Sequence, residues 1–443
     1  MLSAALTEGR RRAAMSADQC SYDYWLGARE LKYSAAGVER SVKPAATIRR
    51  ARAVLDIIGV TKVADVTDLD RIGIPNFTAV RPHDAGPGIS YYSGKGTTRD
   101  QAHAGALMEA VERHAAEWYD GPITAASHAN LREQGACVDP RHIHVPTVRD
   151  YSEKLRLEWA QGFDLIGRCP TYVPVNCLLA PYRPYLGALL FYSSTNGLAS
   201  GNTRIDALCH ALCEVIERDT TALAMAEALV GPAVAATLSE IGFDVRQSPE
   251  PADAPLIALR SLPRQAAALV RKMQRAGIEV ELRNLTSAIG IPTIDCIITE
   301  RDGPAGVAVA YGGAGTHPDA RIALTRALTE AAQSRVTGIH GGREDIPDYA
   351  SAVPRPAPEP GHSAISFGEI PSREHATVNE DVEFIIDRMR NAGFDQAVAF
   401  DLTRAEVGIP VVRVVVPRAE SWTLFIEHGG RASLGPRALR QIT

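Results

Sequence analysis

The sequence predicts an α/β (α+β) fold with mixed or antiparallel sheets, built from duplicated helix–strand units. Two stretches late in the chain share one order: a helix, Ala-Gly, a strand, Leu-Thr, Gly-Ile-Pro and a second strand. The regular alternation of strands and helices that is typical of a parallel sheet is absent. We therefore expect each unit to bury one face of a hairpin under one helix. The shared positions are Ala276-Gly277, Leu285-Thr286 and Gly290-Ile291-Pro292 in the first unit and Ala392-Gly393, Leu402-Thr403 and Gly408-Ile409-Pro410 in the second.

The elements before these units are expected in the following order. Residues 1–43, rich in Arg, Ala and Ser, form a partly ordered extension. A helix follows over Pro44–Val60, and short strands and turns continue to Pro82. The first of two similar acidic helices covers Thr98–Trp118. The segments TYVPVNCLLAPY and GALLFYSST are predicted strands that lead into the second acidic helix, Thr203–Glu227.

Polar and proline-rich stretches set the expected boundaries. RQSPEPADAPL marks a subdomain break near 246–256, and the proline-rich stretch 353–375 is expected to cross the surface, because proline cannot continue a helix. The predicted main domain spans 44–417. Residues 418–443 are expected to form a tail.

Composition indicates an ordinary globular protein and disfavours several classes. The 443 residues are 45% hydrophobic and 22% charged, and the net charge of −5 gives no reason to expect nucleic acid as a partner. Neither a run of about 18 apolar residues nor a signal-peptide pattern is present, so we expect a cytoplasmic protein without a membrane span. The 7 cysteines form no Cys-x-x-Cys pair, which disfavours both a disulfide framework and a structural zinc site.

The two acidic helices carry the strongest functional signal. GTTRDQAHAGALMEAVER ends in Glu109, Glu112 and Arg113, and GNTRIDALCHALCEVIER has Glu214, Glu217 and Arg218 at the same positions. Residues three apart share a helix face, so each pair points one way, and small alanines permit close helix approach. Four converging carboxylates would need divalent cations, for which oxygen ligands favour magnesium, manganese or calcium. The alternative is a solvated face with local salt bridges.

A third segment extends the pattern. ARIALTRALTEAAQSR places Glu330 where the first copy has Glu109, and Gln333 takes the position of Glu112. The glycines of the preceding YGGAGTHPD are expected to let backbone amides approach an anion at a helix N-terminus. Lys95 in SGKG is a candidate phosphate partner, with a plain turn as the equal alternative.

Together these three blocks resemble the signature blocks of the YcaO superfamily, over roughly Pro44–Pro417. The stretch GVTKVADVTDLDRIGIPNFTAVRP is similar to the branch associated with TfuA partner proteins. The resemblance implies a YcaO-type fold that binds ATP with two or more Mg²⁺ ions and phosphorylates the oxygen of a peptide backbone amide. A nucleophile then attacks the carbon and phosphate leaves.

The resemblance also implies a set of site residues. The glutamates would be catalytic residues and metal ligands: Glu109, Glu112, Glu214 and Glu217. Residues from the second and third blocks would bind the nucleotide: Asn196, Asn202, Gln333 and Arg335. Lys95 and Arg113 are placed near phosphate on the ground of charge.

The nucleophile decides the product. Azoline-forming members of the family typically end in a Pro-x-Pro-x-Pro tail, whereas this chain ends in RASLGPRALRQIT. Together with the TfuA-like stretch, this favours a thioamide synthetase of peptide post-translational modification (RiPP biosynthesis), with sulfide supplied by a TfuA-like partner. The alternatives are an azoline-forming cyclodehydratase and a non-catalytic nucleotide-binding scaffold. The expected substrate is a peptide or protein. Members of the family often form dimers, so the resemblance also suggests a homodimer. A carboxylate-bridged di-iron protein would instead carry Glu-x-x-His pairs.

Overall fold

The computed structural model describes residues 18–35, 38–82, 89–143, 151–191, 193–240, 254–302, 308–341, 364–421 and 434–442. Long helices and short strands make up most of them, with 3₁₀ turns between. The α-helices are α1 (Tyr22–Leu26), α2 (Pro44–Arg52), α3 (Leu55–Ile58), α4 (Arg99–Ala115), α5 (His128–Leu131), α6 (Arg204–Met225, continued by a π-helical turn over Ala226–Val230), α7 (Gly231–Glu240), α8 (Arg264–Arg275), α9 (Ala320–His340), α10 (Val378–Asn391) and α11 (Pro436–Ile442).

Strand pairing among these residues is antiparallel in every named pair, which confirms the predicted α/β class with antiparallel sheets. The strands are β1 (Tyr33–Ala35), β2 (Val38–Arg40), β3 (Lys62–Asp65), β4 (Asn76–Val80), β5 (Tyr91–Lys95), β6 (Thr124–Ser127), β7 (Arg156–Asp164), β8 (Cys169–Pro174), β9 (Leu198–Ser200), β10 (Glu279–Asn284), β11 (Thr293–Glu300), β12 (Val309–Thr316), β13 (Val398–Asp401) and β14 (Val411–Val415).

The helix–hairpin unit predicted twice occurs three times. The two predicted copies are α8–β10–β11 and α10–β13–β14, and the additional copy is α2–α3–β3–β4. In each copy one glycine with positive φ precedes the first strand and another precedes the second strand, because only glycine adopts this backbone conformation without strain. These pairs are Gly59 and Gly73 (φ 74° and 69°), Gly277 and Gly290 (73° and 75°), and Gly393 and Gly408 (88° and 64°).

The same hydrogen bonds fix the turn of all three hairpins. A polar side chain at the end of the first strand accepts from the backbone of a threonine two residues later, which is the geometry of an Asx turn. These bonds are Thr67 N–Asp65 Oδ1 at 3.0 Å, Thr286 N–Asn284 Oδ1 at 3.2 Å and Thr403 N–Asp401 Oδ1 at 2.9 Å. Each threonine hydroxyl then accepts from the start of the second strand or its flank, from Asn76 N at 3.1 Å, Thr293 N at 3.2 Å and Val411 N at 3.2 Å.

Each hairpin is completed by a third strand that leads into one of the three repeated helices. Sheets β3–β4–β5 and β10–β11–β12 continue into α4 and α9. In the remaining unit, β9 and α6 come first in the chain, and the hairpin β13–β14 joins β9 later. That sheet also carries β7 beside β13, with β6 and β8 on β7. The architecture is therefore three related units, one of which has its parts in permuted order.

Glycines in the third strands let each helix lie directly on its own sheet. A Cβ atom on Gly94 of β5 would fall 2.1 Å from both Ala102 O and Ala106 N of α4. A Cβ on Gly315 of β12 would fall 2.1 Å from Ala323 O of α9. The glycines of YGGAGTHPD therefore lie in a strand and not in a loop, and Gly313 and Gly315 allow α9 to pack on β12.

The small alanines also serve this contact between helix and strand. Each repeated helix packs in addition on the third strand of another unit: α4 contacts β9, α6 contacts β12 and α9 contacts β5. The alanines were expected to bring the acidic helices directly together. In the structure they lie against strands instead. The three units close in a ring through helix–strand contacts.

The structure also bears on several other expectations. The helix predicted over Pro44–Val60 is divided into α2 and α3, and GALLFYSST contains no strand over its described residues, 187–191 and 193–195. The described part of the predicted extension packs on the body, since Trp25 is 1% exposed and Tyr24 Oη donates to Asp401 Oδ2 at 2.7 Å. Most of the predicted break (246–253) and much of the predicted crossing (353–363) lie outside the described residues. Within the described residues, no helix has the length and apolar character needed to cross a membrane.

Candidate active site

Five carboxylates from the three repeated helices lie close enough to influence one another's pKa where the units meet. The carboxylates of α4 and α6 repel each other, because the charge of Glu214 on α6 acts on Glu112 of α4. Glu109, on the same helix as Glu112, adds to this repulsion. The α6 carboxylates in turn repel the α9 carboxylate, because the charge of Glu330 acts on Glu217. The structure thus brings the four glutamates singled out in the sequence into one cluster and adds Glu330.

Glu112 is the most firmly positioned member of this carboxylate cluster. Its side chain is buried, and Oε2 accepts the backbone N–H of Ser200 in β9 at 2.9 Å. The Ser200 hydroxyl donates to Met108 O at 3.0 Å, which ties the same strand to α4. Burial together with repulsion from Glu109 and Glu214 raises the pKa of Glu112 well above its ordinary range.

The α6 pair is shifted in the same direction. Burial raises the pKa of Glu214 to about 7, against the attraction of Arg218 and with added repulsion from Glu217. Burial and the charge of Glu330 likewise raise the pKa of Glu217. These carboxylates are held where their charged form is costly, which is typical of sites that bind a cation or transfer a proton.

Glu330 is a member of the cluster that the sequence analysis did not predict, although it aligns with Glu109. In the structure the ammonium group of Lys95 donates to Glu330 Oε2. The charges of Lys95 and Arg218 lower the pKa of Glu330 despite its burial. The signal that could have identified it was already present, because the third block keeps a glutamate at the position of Glu109.

Several basic side chains accompany the carboxylates. Arg113 Nε donates to Glu109 Oε1 at 2.9 Å, so the i,i+4 salt bridge considered from the sequence is present. The charges of Glu217, Glu330 and Glu214 raise the pKa of Arg218 against the cost of its burial. Three carboxylates keep raised pKa values even with these cations nearby, so the basic side chains do not fully offset the cost of charging the cluster.

The donor set fits divalent cations that prefer oxygen. Among the described residues the cluster is built from five carboxylates, and oxygen ligands match Mg²⁺, Mn²⁺ or Ca²⁺ better than zinc. A bound cation would relieve the repulsion that raises the pKa values of Glu112 and Glu217. The residues present therefore fit magnesium, with Glu109, Glu112, Glu214 and Glu217 as the candidate ligands.

The candidate nucleotide residues of the second block occupy two places. The backbone oxygen of Asn202 accepts from Arg50 at 2.7 Å, and its side-chain Oδ1 accepts from Thr47 Oγ1 at 2.9 Å, so it is anchored to α2. Asn196 lies on the other side of β9, in the turn that leads into this strand (194–197, the β9 turn), where its backbone N–H donates to Ser194 Oγ at 3.0 Å. Its Oδ1 is buried and has no hydrogen-bond partner in the described part of the chain.

The candidates from the third block diverge along α9. Gln333 lies one turn beyond Glu330 and lines a small pocket of about 280 Å³ with Asn76 and His340. Arg335 is 5% exposed and is already paired, with Asp70 Oδ1 at 3.1 Å and Glu300 Oε2 at 2.7 Å. The structure therefore places Gln333 beside the cluster and shows Arg335 in an ion-pair network that joins α9 to the first unit.

Cys209, His317 and Asp381 form a separate buried group whose ligand atoms lie within 4.8 Å of one another. His317 Nδ1 accepts from Asp319 N at 3.0 Å, so the proton of the neutral ring is on Nε2, the atom that faces Asp381. The Lys32 ammonium lies 2.7 Å from Asp381 Oδ2 and already supplies a cation. We interpret this group as a structural network, because its acid is already paired with Lys32 and Cys209 is buried in the core.

Comparison with known proteins identifies relatives along nearly the whole chain. A family described as YcaO cyclodehydratase, ATP- and Mg²⁺-binding, matches residues 93–420. An uncharacterized protein of Methanothermobacter thermautotrophicus is 37% identical over 406 residues, which cover 88% of this chain and 98% of the relative. A protein of Rhizobium leguminosarum bv. trifolii, described as lying in the tfuA 3′ region, is 31% identical over 438 residues, or 93% of this chain and 96% of the relative.

Solved structures show the same fold. The structure of YcaO from Methanopyrus kandleri, bound with AMPPCP and Mg²⁺, superposes with a TM-score of 0.66 at 26% identity, covering 92% of this chain and 99% of that chain. A heterocyclase in complex with substrate and cofactor has a TM-score of 0.70 at 20% identity, covering 89% of this chain and 54% of that chain. At that lower identity the second likeness shows the fold alone.

Proposed function

The chain belongs to the YcaO family, whose members are ATP-dependent peptide-modifying enzymes, and from this we propose that it activates a peptide backbone amide by O-phosphorylation and converts it to a thioamide. The observation that carries the proposal is the cluster of buried and half-buried glutamates contributed by three repeated helices. Such a cluster has raised pKa values and an oxygen-only donor set, which are the properties of a site for the Mg²⁺ ions of a nucleotide.

Each residue then has a proposed role. Glu109, Glu112, Glu214 and Glu217 hold two or more Mg²⁺ ions, which neutralise the charge of the triphosphate when bound. Arg113 and Lys95 lie beside these carboxylates and are proposed to contact phosphate. Asn202, Gln333 and Arg335 are proposed nucleotide residues, whereas Asn196 lines a cleft beside the cluster.

The reaction balances without an oxidant. The amide oxygen attacks the terminal phosphorus of ATP, a new P–O bond forms, and ADP leaves with the electrons of the broken phosphoanhydride bond. Hydrosulfide adds to the activated carbon, the C–O bond breaks, and phosphate departs with the former amide oxygen. The hydrosulfide proton is released to phosphate and a C=S bond remains. Phosphate is a much better leaving group than hydroxide, which is the chemical reason for activation.

Sulfide is the proposed nucleophile, and a TfuA-like protein is the proposed source of it. The Rhizobium relative lies in the tfuA 3′ region and aligns along most of this chain, which supports the association. Cys177, Cys209, Cys213 and Cys296 are buried, which favours sulfur from a partner over sulfur carried on those side chains. The second candidate is azoline formation by a Cys, Ser or Thr side chain of the substrate, favoured by the cyclodehydratase description of the family.

The test is mass spectrometry of a peptide encoded beside this gene, after incubation with the protein, ATP, Mg²⁺, sulfide and a TfuA-like protein. Exchange of oxygen for sulfur with one phosphate released supports thioamidation, and accurate mass separates it from oxidation. Loss of water replaces the proposal with azoline formation. ATP binding without ATP turnover for any encoded peptide would leave only the scaffold role.

A further inference from the structure

A cleft of about 520 Å³ lies beside the carboxylate cluster, between β14, the start of the β9 turn and the 3₁₀ turn Val175–Cys177. Its walls include the apolar side chains Phe191, Val215 and Val416. Two buried polar groups without partners, on Arg413 and Asn196, also line it. The cleft is adjacent to the cluster because Val215 follows Glu214 on α6 and because Arg413 interacts electrostatically with Glu214 and Glu112.

Arg413 is the unusual residue of this cleft. It interrupts the valine-rich strand β14 and is 4% exposed. Its Nη2 donates to Ser194 O at 2.8 Å, while Nε and Nη1 have no partner in the described part of the chain. A buried guanidinium with unused donors costs free energy unless a ligand accepts from it, so these donors indicate a ligand.

Asn196 supplies the opposite hydrogen-bonding character. Its Oδ1 is a buried acceptor without a donor. The neighbouring Asn176 shows how the chain satisfies an asparagine that has a structural role: its Oδ1 accepts from Leu190 N and Phe191 N, and its Nδ2 donates to Phe191 O. Asn176 thus uses both its oxygen and its nitrogen, whereas Asn196 and Arg413, which line the same cleft, leave one acceptor and two donor nitrogens without partners in the described residues.

We propose that this cleft binds the backbone amide of the substrate, with Arg413 donating to the carbonyl oxygen and the Oδ1 of Asn196 accepting the amide N–H. The inference rests on the proposed function and deepens it by assigning the substrate position. A carbonyl oxygen has two lone pairs, so one can accept from Arg413 while the other remains available for phosphorylation.

Other classes of ligand fit the open groups less well. An anion such as phosphate or hydrosulfide would satisfy Arg413, but it would be repelled by the lone pairs of Asn196 Oδ1 and by the nearby carboxylates. A cation would be repelled by Arg413. A neutral amide offers one acceptor and one donor, so it complements both residues, and the apolar wall suits the side chains on either side of it.

The test uses N-methylacetamide, which contains a single amide, as the probe and methyl acetate as its matched control. The ester lacks the N–H beside Asn196 but keeps the carbonyl oxygen. Binding of both to the full chain with Mg²⁺ and AMPPCP is measured by NMR titration. We expect the wild-type protein to bind the amide about two- to tenfold more tightly than the ester, the range given by one neutral hydrogen bond.

Variants assign the two contacts. Asn196→Leu should abolish the preference for the amide, and Arg413→Gln should weaken both probes by about tenfold or more, since a charged donor is lost. Arg413→Lys retains the charge and should bind with intermediate affinity, which gives a result if the glutamine variant does not fold. Arg404→Gln removes a similarly buried arginine that pairs with Asp120, and it should leave both affinities unchanged.

The affinity for Mg·AMPPCP is measured for every variant. The proposal is overturned if the wild-type protein does not distinguish the amide from the ester. It is equally overturned if Asn196→Leu or Arg413→Gln weakens nucleotide binding and leaves the probe affinities intact, because both residues would then belong to the nucleotide site. Probe binding needs no turnover, so failure of the proposed reaction would appear separately, as unmodified peptide in the mass spectrometric test.

Discussion

Lys95 and Glu330 come from different repeated units, and the ammonium group of Lys95 donates to Oε2 of Glu330. Lys95 ends β5 in the first unit, whereas Glu330 lies on α9 of the unit formed by β10–β11–β12. Ser200 makes a comparable connection, since its backbone N–H in β9 donates to Glu112 of α4. The contacts that close the ring of units are therefore also contacts to the carboxylates of the site, so assembly of the fold and assembly of the cluster are linked.

Replacing Lys95 should make the protein depend more strongly on Mg²⁺ for stability. Lys95→Met leaves Glu330 without its closest cation in a cluster that already has raised pKa values, so repulsion in the metal-free protein increases. Without metal, we expect the free energy of unfolding to fall by about 1–3 kcal/mol and the Tm to fall with it. Adding Mg²⁺ should then raise the Tm of the variant more than that of the wild-type protein. Thermal unfolding with and without Mg²⁺ measures both.

Lys62→Met is the matched control, because Lys62 is exposed on β3 and remote in sequence from the repeated helix. It should change neither the Tm nor its response to Mg²⁺. An equal Mg²⁺ response in the wild-type and Lys95→Met proteins would show that Lys95 does not balance charge in the metal site.

Glutamates of the cluster should be needed for ATP turnover but not for folding. Glu109→Gln or Glu214→Gln keeps the side-chain volume and removes one charged oxygen ligand, so Mg²⁺-dependent ATP turnover should fall by about 100-fold or more while the circular dichroism spectrum is retained. Phosphate release at saturating Mg²⁺ is the measurement. Glu133→Gln, at an exposed position, should turn over ATP normally. Normal turnover by either cluster variant would exclude the converging-carboxylate site.

The close approach of helix and strand can be tested at Gly94. A Cβ there would lie 2.1 Å from backbone atoms of α4, which cannot rotate away as a side chain would. We expect Gly94→Ala to lower the free energy of unfolding by about 2 kcal/mol or more in denaturant titration. Gly135→Ala has open space and no positive φ, so it should have little effect. Equal stability of the two variants would contradict the packing of α4 on β5.

The sequence predicted the class of fold and two of the three hairpin units, for reasons that the structure explains. In the repeated Gly-Ile-Pro motif the glycine has a positive φ, and in the repeated Leu-Thr motif the threonine hydroxyl accepts a hydrogen bond from the second strand or its flank. The geometry of the hairpin requires both. The first unit escaped notice because Val66 replaces the leucine before Thr67 and because its helix is split into two short pieces. The glycine-rich β12 was interpreted as a loop since glycine has low strand propensity, and only the partner helix reveals why it is favoured there.

The sequence predicted the site residues that repeat at fixed spacing along a helix. It did not predict those whose role depends on contacts between distant strands. Glu109, Glu112, Glu214 and Glu217 follow from three-residue spacing and duplication. Arg413 did not stand out, because a single charged residue in a valine-rich strand gives no indication of what it faces. Its open donors become visible only when β14, the β9 turn and the neighbouring 3₁₀ turn are assembled.

The stability of the metal-free protein should fall as the pH rises through the range in which the cluster titrates. Burial raises the pKa of Glu214 from its ordinary 4.5 to about 7, and the pKa values of Glu112 and Glu217 are raised as well. Between these two pH values the folded state holds more protons than the unfolded state, so the free energy of unfolding decreases with pH. For Glu214 alone we expect a loss of about 1–3 kcal/mol, complete above its folded pKa.

Mg²⁺ should reverse this trend, because it binds the deprotonated carboxylates and competes with protons. The Tm rise caused by Mg²⁺ should therefore be small near pH 5 and large near pH 8, with protons released on binding. Glu214→Gln removes one titrating group, so the difference between wild-type and variant unfolding curves isolates it from carboxylates such as Glu300, whose lowered pKa acts in the opposite direction. Equal losses of stability between pH 5 and pH 8 in the metal-free wild-type and Glu214→Gln proteins would contradict this prediction. They would mean that the charged form of Glu214 is not costly in the folded state, and that Glu214 has no electrostatic need for a cation.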